Sequence, residues 1–323
     1  MLDQLKFDAF SKSFLKLMKS SILGFIFTYF LFWILMQADI LNQIILPLSL
    51  FFIMMGLGLT LQLSDFTLIS KKPKAMLVGL SAQLLLLPLL ALLVVSIVEF
   101  PPYVAIGFFI IALCPSGTTS NLYSFLAKGD VALSVSLTVV VSVITPFTIP
   151  LALTYFSSLV VGEGQQIDIP VLKTIIQLLL ITVLPISLGM LIRHKSPAFA
   201  KTADKPVRVF SVVFMVLIIV GIIVKNSHVI PPYFSQVGLP VLALNISAMA
   251  IGFGLAKISN LNQPQQRTIG FEVGLQNGTT ALLVALTILQ NAEMAVAPTV
   301  YSLTMFLTGA IFAKLLSKSK ASD

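Results

Sequence analysis

Glu272-Val273-Gly274-Leu275-Gln276-Asn277-Gly278 is a stretch that a membrane helix should not contain, yet apolar sequence flanks it on both sides. An ionisable group at bilayer depth costs roughly 2.5 kcal/mol or more, so it marks an ion or substrate path. The glycines beside Glu272, with Gln276 and Asn277, predict a helix that unwinds there and turns its backbone carbonyls toward a ligand. A second interruption of the same kind, Cys114-Pro115-Ser116-Gly117-Thr118-Thr119-Ser120-Asn121, lies about half a chain length earlier. Two broken helices at matching positions in the two halves point to a secondary transporter.

The rest of the chain supports a membrane setting. Of 323 residues, 57% are hydrophobic and 10% charged, with mean hydropathy +1.02. A soluble domain carries about 25% charged residues. Ten runs are long enough to span a bilayer, near 20–38, 41–63, 74–98, 103–127, 130–158, 170–192, 207–225, 231–256, 266–290 and 295–316. The fourth and ninth are the interrupted ones. Residues 1–19 mix Lys6, Lys12, Lys16 and Lys19 with apolar residues and predict an amphipathic helix on the membrane surface.

With the N-terminus in the cytoplasm, 18 of the 20 lysines and arginines fall on the cytoplasmic side, leaving Lys173 and Lys225 outside. Both termini are therefore expected to be cytoplasmic, in the cell's inner (plasma) membrane. The net charge of +8 reflects topology rather than a nucleic-acid partner. Ten spans divide into a first repeat, 20–158, an external loop, 159–169, a second repeat, 170–317, and a tail, 318–323. Five is odd, so the second repeat must run through the membrane inverted. Gln83 and Asn245 stand 162 residues apart, and Thr118 and Thr279 stand 161 apart, the weak internal symmetry expected of inverted repeats.

A sodium ion takes oxygen ligands and tolerates neutral ones. Glu272 offers the full charge, and Gln83, Ser120, Asn121, Ser134, Thr138 and Gln276 offer neutral oxygens. Ser134 and Thr138 are four apart and share a helix face, where their hydroxyls either face a ligand or bond back to their own helix. Glu272 itself reads either as an ion ligand or as a protonated structural acid. The spans carry no lysine or arginine in their interior, so an anion would be met by the half-helix N-termini near Thr118-Thr119 and Gly278-Thr279. Cys114 is the only cysteine, and His194 and His228 fall in predicted loops, which leaves little for transition-metal or acid–base chemistry and argues against an enzyme.

MGLGLTLQLSDF at 55–66, Gln83, CPSGTTSNLYSFLAKGDVALSVSLT at 114–138 and EVGLQNG at 272–278 together resemble the bile acid:sodium symporter family. The resemblance implies an all-α membrane fold of ten helices in two inverted repeats of five. Spans 1, 2, 6 and 7 would form a panel, and spans 3–5 and 8–10 a core in which helices four and nine cross at their breaks. It also implies two sodium ions as coupling ions and no other cofactor. One ion would be held by Ser120, Asn121, Ser134, Thr138 and Glu272. The other would be held by Gln83, Glu272 and Gln276 with the carbonyls of Val273 and Leu275. Thr118, Thr119, Asn277 and Gly278 would face a small organic anion such as a bile salt, pantoate or 2-oxo acid, imported by alternating access with no obligatory protein partner. The alternatives are a metalloid (arsenite-type) efflux carrier using Cys114, or a proton-coupled organic acid carrier.

Overall fold

A computed structural model describes residues 41–62, 71–160, 169–225 and 230–318. The segment 1–19, the first span, loop residues 161–168, His228 and the tail 319–323 lie outside the described residues. The chain divides into two units, Met1–Ile45 and Leu46–Asp323. In the first, Leu41–Ile45 forms a π-helical turn.

The second unit is built of helices. They are α1 (Leu46–Thr60), α2 (Pro73–Ile97), α3 (Pro102–Leu113), α4 (Thr118–Leu126), α5 (Val131–Val160), α6 (Val171–Lys195), α7 (Pro197–Lys225), α8 (Ile230–Ile258), α9 (Gln263–Gly274), α10 (Gly278–Ile288) and α11 (Val296–Lys318). Among the described residues, six helices are long and apolar enough to cross a membrane: Asn42–Thr60, Pro73–Ile97, Val131–Val160, Val171–Lys195, Pro232–Ile258 and Glu293–Leu316. Helix α3 has 12 residues, or about 18 Å at 1.5 Å per residue, too short for a hydrocarbon core of about 30 Å. A break at 114–117 separates α3 from α4, and one at 275–277 separates α9 from α10.

Prolines shape two of the long helices. Pro88 and Pro185 lack an N–H, and their rings press on the carbonyls of Leu84 and Ile181, four residues back. Those carbonyls lie in π-turns, Ala82–Leu86 and Leu179–Val183, which take up the misfit with one extra residue each. Gln83 sits in the first of these widened turns and is buried there.

Helices α1 and α6 approach with almost no side chain between them. A Cβ on Gly58 would overlap the Ile186 carbonyl, and one on Gly189 would overlap the Met55 carbonyl.

At the other end of the molecule's polar seam, the turn between α4 and α5 is tied to the start of α9. Lys128 adopts a left-handed φ of 56°. The Asp130 amide donates to Pro264 O at 3.2 Å, and the Thr268 hydroxyl donates to Asp130 O at 3.1 Å. The Asp130 carboxylate accepts the Leu133 amide at 3.1 Å, capping α5, and pairs with Lys72 at 2.5 Å. Helix α9 starts on a capping box between Asn262 and Gln265. Its first turns reach back past residue 266, so Arg267 stands inside the helix, 5% exposed, donating to the Ala127 carbonyl at the C-terminal end of α4 at 2.9 Å. His194 likewise lies in the last turn of α6 rather than in a loop. Asp130→Ala removes the α5 cap and is expected to cost about 1 kcal/mol. Its Tm should fall by the same amount in sodium and in potassium; a loss seen in one salt alone would give Asp130 a part in ion binding.

Candidate functional site

The two interruptions meet. Ser116 and Gln276 form an isolated antiparallel bridge, and the Asn277 amide donates to Pro115 O at 2.8 Å. The chain resumes helix at Thr118 on one side and at Gly278 on the other, the two starts expected from sequence. Asn277 caps α10 by accepting the Thr280 amide at 3.0 Å.

Glu272, in the last turn of α9, is fully buried beneath this bridge. Its Oε1 accepts the Ser134 hydroxyl at 2.5 Å, and its Oε2 accepts Ser116 at 2.5 Å and Thr138 at 2.9 Å. Ser116 and Thr138 are also 3.0 Å apart, and Ser134 lies 2.7 Å from Asn121 Oδ1. Ser134 and Thr138 therefore face across to Glu272 rather than back to their own helix.

Six oxygens thus make five close contacts with three hydroxyl protons to share. Even with the Asn121 amide turned to donate, one contact stays without a proton. Among the described residues no basic side chain pairs with Glu272; Lys72 pairs with Asp130 instead. A buried carboxylate without a partner is costly. A cluster of hard oxygens short of positive charge is a cation-binding chemistry, and its donors suit a hard ion.

The five residues expected at this first position, Ser120, Asn121, Ser134, Thr138 and Glu272, lie together. The Ser120 hydroxyl also lies 2.7 Å from Gly117 O, at its own helix start. Sequence reasoning missed Ser116, which lies in an interruption where no periodicity assigns a facing.

At the second position, Gln83 Nε2 donates to Gln276 Oε1 at 3.2 Å. Gln276 Nε2 donates in turn to Val273 O at 2.7 Å and Glu272 O at 3.3 Å. Gln83, Gln276 and the Val273 carbonyl are therefore gathered at the C-terminal end of α9. Leu275 gives its amide to Phe271 O at 2.8 Å and buries its side chain.

The next carbonyl, Gly274 O, accepts two donors, Asn245 Nδ2 at 2.6 Å and the Tyr301 hydroxyl at 2.8 Å. Thr308 donates to Asn245 Oδ1 at 2.5 Å. Asn245, singled out in sequence only as the mate of Gln83, thus braces the end of α9 from α8, with Tyr301 and Thr308 from α11.

Thr118, Thr119, Asn277 and Gly278 line one small cleft of about 30 Å³, closed by Ile53 and Met54 of α1 and Met305 of α11. Cys114 is buried at the end of α3 and is not among the residues lining it.

Residues 47–231 match the sodium bile acid symporter family. The chain belongs to that family. It is 30% identical to the uncharacterized sodium-dependent transporter YocS of Bacillus subtilis (strain 168), over 92% of this chain and 88% of that protein. It is 29% identical to the human ileal sodium/bile acid cotransporter, over 83% of this chain and 77% of that protein. To the probable chloroplastic sodium/metabolite cotransporter BASS2 of Oryza sativa subsp. japonica it is 29% identical, over 81% of this chain and 61% of that longer protein. These members of the sodium bile acid symporter family are named as transporters or cotransporters, in keeping with a membrane carrier rather than an enzyme.

Proposed function

We propose that this chain is a sodium-coupled symporter that imports a small organic anion by alternating access. The observation that carries the reading is the buried Glu272 cluster, whose oxygen contacts outnumber their protons. One sodium ion would sit among Ser120, Asn121, Ser134, Thr138 and Glu272. A second would sit among Gln83, Glu272, Gln276 and the Val273 and Leu275 carbonyls. One ion cancels the carboxylate's charge, the second leaves the site net positive, and together they fix the two interruptions in one geometry. The N-terminal ends of α4 and α10, beside Thr118, Thr119, Asn277 and Gly278, then meet a carboxylate such as that of a bile salt, pantoate or 2-oxo acid.

The fold we propose is ten helices in two inverted repeats of five, with both termini cytoplasmic in the inner membrane. Spans 1, 2, 6 and 7 would form the panel, which the close α1–α6 contact supports. The core would move against it, and the cleft between α1 and the interruptions lies where that movement opens and closes access.

Protonation of Glu272 would satisfy the same oxygen cluster, so sodium and proton coupling must be separated by experiment. A ligand that binds only the folded state raises its stability. The Tm of the detergent-purified protein should rise in sodium chloride against equimolar potassium chloride. An inward sodium gradient should then drive uptake of labelled pantoate, 2-oxo acid or bile salt into proteoliposomes. Equal Tm in both salts, with uptake following a proton gradient instead, would overturn the sodium reading. Two ions predict a sodium Hill coefficient near two in the wild type. Ser134→Ala or Gln83→Ala should each bring it toward one, and an unchanged coefficient in both variants argues against two sites at these positions.

A further inference from the structure

Ser116 touches the Glu272 carboxylate from the bridge that joins the two interruptions. Its hydroxyl lies 2.5 Å from Glu272 Oε2 and 3.0 Å from Thr138 Oγ1, and it is 1% exposed. Its backbone forms the bridge to Gln276. Pro115, just before it, accepts the Asn277 amide, and Gly117, just after it, caps α4. A single residue thus contacts the ion-binding carboxylate through its side chain and both half-helix starts through its main chain. The Ser134 and Thr138 hydroxyls on Glu272 belong to α5, a continuous helix that carries neither start.

We propose that Ser116 is a positioning residue that couples the ion site to the anion site, an inference that rests on the sodium-symport reading above. When a cation takes up Glu272 Oε2 and Thr138, the Ser116 hydroxyl is drawn with them. The bridge moves as a unit, and the N–H groups at Thr118–Thr119 and Gly278–Thr279 are set in the geometry that an incoming carboxylate meets. Without the hydroxyl, sodium still binds Glu272, Asn121, Ser134 and Thr138, but its arrival is no longer transmitted to the bridge.

The test compares carboxylate affinity in sodium and in potassium for wild type and Ser116→Ala. The probe is whichever of pantoate, pyruvate as the simplest 2-oxo acid, or taurocholate the wild type takes up. Coupling between sites commonly amounts to about 5–150-fold, and the wild type is expected to fall in that range. In Ser116→Ala the ratio should drop to within about twofold of unity, while the sodium-dependent rise in Tm persists and affinity in potassium stays unchanged. A residue with a purely structural role would lower Tm in both salts and leave the ratio alone.

The wild type gives a second, independent readout. Sodium without any carboxylate should slow amide exchange in peptides covering both 114–121 and 275–282. Protection confined to the peptide with Glu272's α5 partners, 131–140, would overturn the proposal even if Ser116→Ala fails to fold. Wild-type coupling in a folded Ser116→Ala would overturn it as well, leaving the symport reading intact. Absence of any sodium effect on wild-type Tm and uptake would instead remove the parent reading, and this proposal with it.

Discussion

Glu272→Gln is expected to abolish sodium-driven uptake and to erase the sodium-dependent rise in Tm. The two side chains have nearly the same volume, so the packing around α9 survives. The amide, however, brings two protons into a cluster that lacks them, so the neighbouring hydroxyls are satisfied without a cation. Removing an uncompensated buried charge should also leave the variant at least as stable as wild type in potassium. In the wild type, sodium at a hundredfold above its Kd contributes about 2.7 kcal/mol, and this increment is what the variant should lose. Thermal unfolding in the two salts and proteoliposome uptake check both halves. Uptake that persists on a sodium gradient in Glu272→Gln would falsify the assignment of the ion site.

The second large effect lies away from the ions. Gly189→Val should cost about 3 kcal/mol or more, because the first added carbon would overlap the Met55 carbonyl and α1 cannot retreat without losing its own contact at Gly58. Two backbones are in contact here, so no rotamer change relieves the clash. The expected result is loss of monodisperse protein on size-exclusion chromatography, equally in sodium and potassium. A normal yield and Tm would mean that α1 and α6 can part freely, which is hard to reconcile with a rigid panel.

Much of the site could be read from sequence because helices have a period. Ser134 and Thr138 were placed on one face by their spacing of four, and both do reach Glu272. The interruptions were legible from glycine and amide residues embedded in apolar runs, and their helix restarts fall at Thr118 and Gly278 as expected. Inside the interruptions that rule has no purchase. Ser116 bonds to Glu272 while its main chain makes the bridge, and spacing cannot single it out from Ser120. Arg267 falls at the very start of the 266–290 run, where sequence alone does not show how far the helix extends before it. The capping box at Asn262 starts α9 earlier and carries the guanidinium inward to a carbonyl at the end of α4. The π-turns were also hidden: a proline announces a kink, but not that the helix will widen rather than bend.

The bridge between Ser116 and Gln276 has one further consequence, for how such a chain can diverge. Side chains on paired extended strands alternate between opposite faces, so a slip of one residue reverses what each presents. One inserted or deleted residue on either side of this bridge would turn Ser116 or Gln276 away from Glu272 and misplace a helix start at the same stroke. Drift by substitution is a milder matter at positions such as Cys114, whose side chain takes part in none of these bonds. The two gaps are therefore places where descendants of this sequence can change letters but not length.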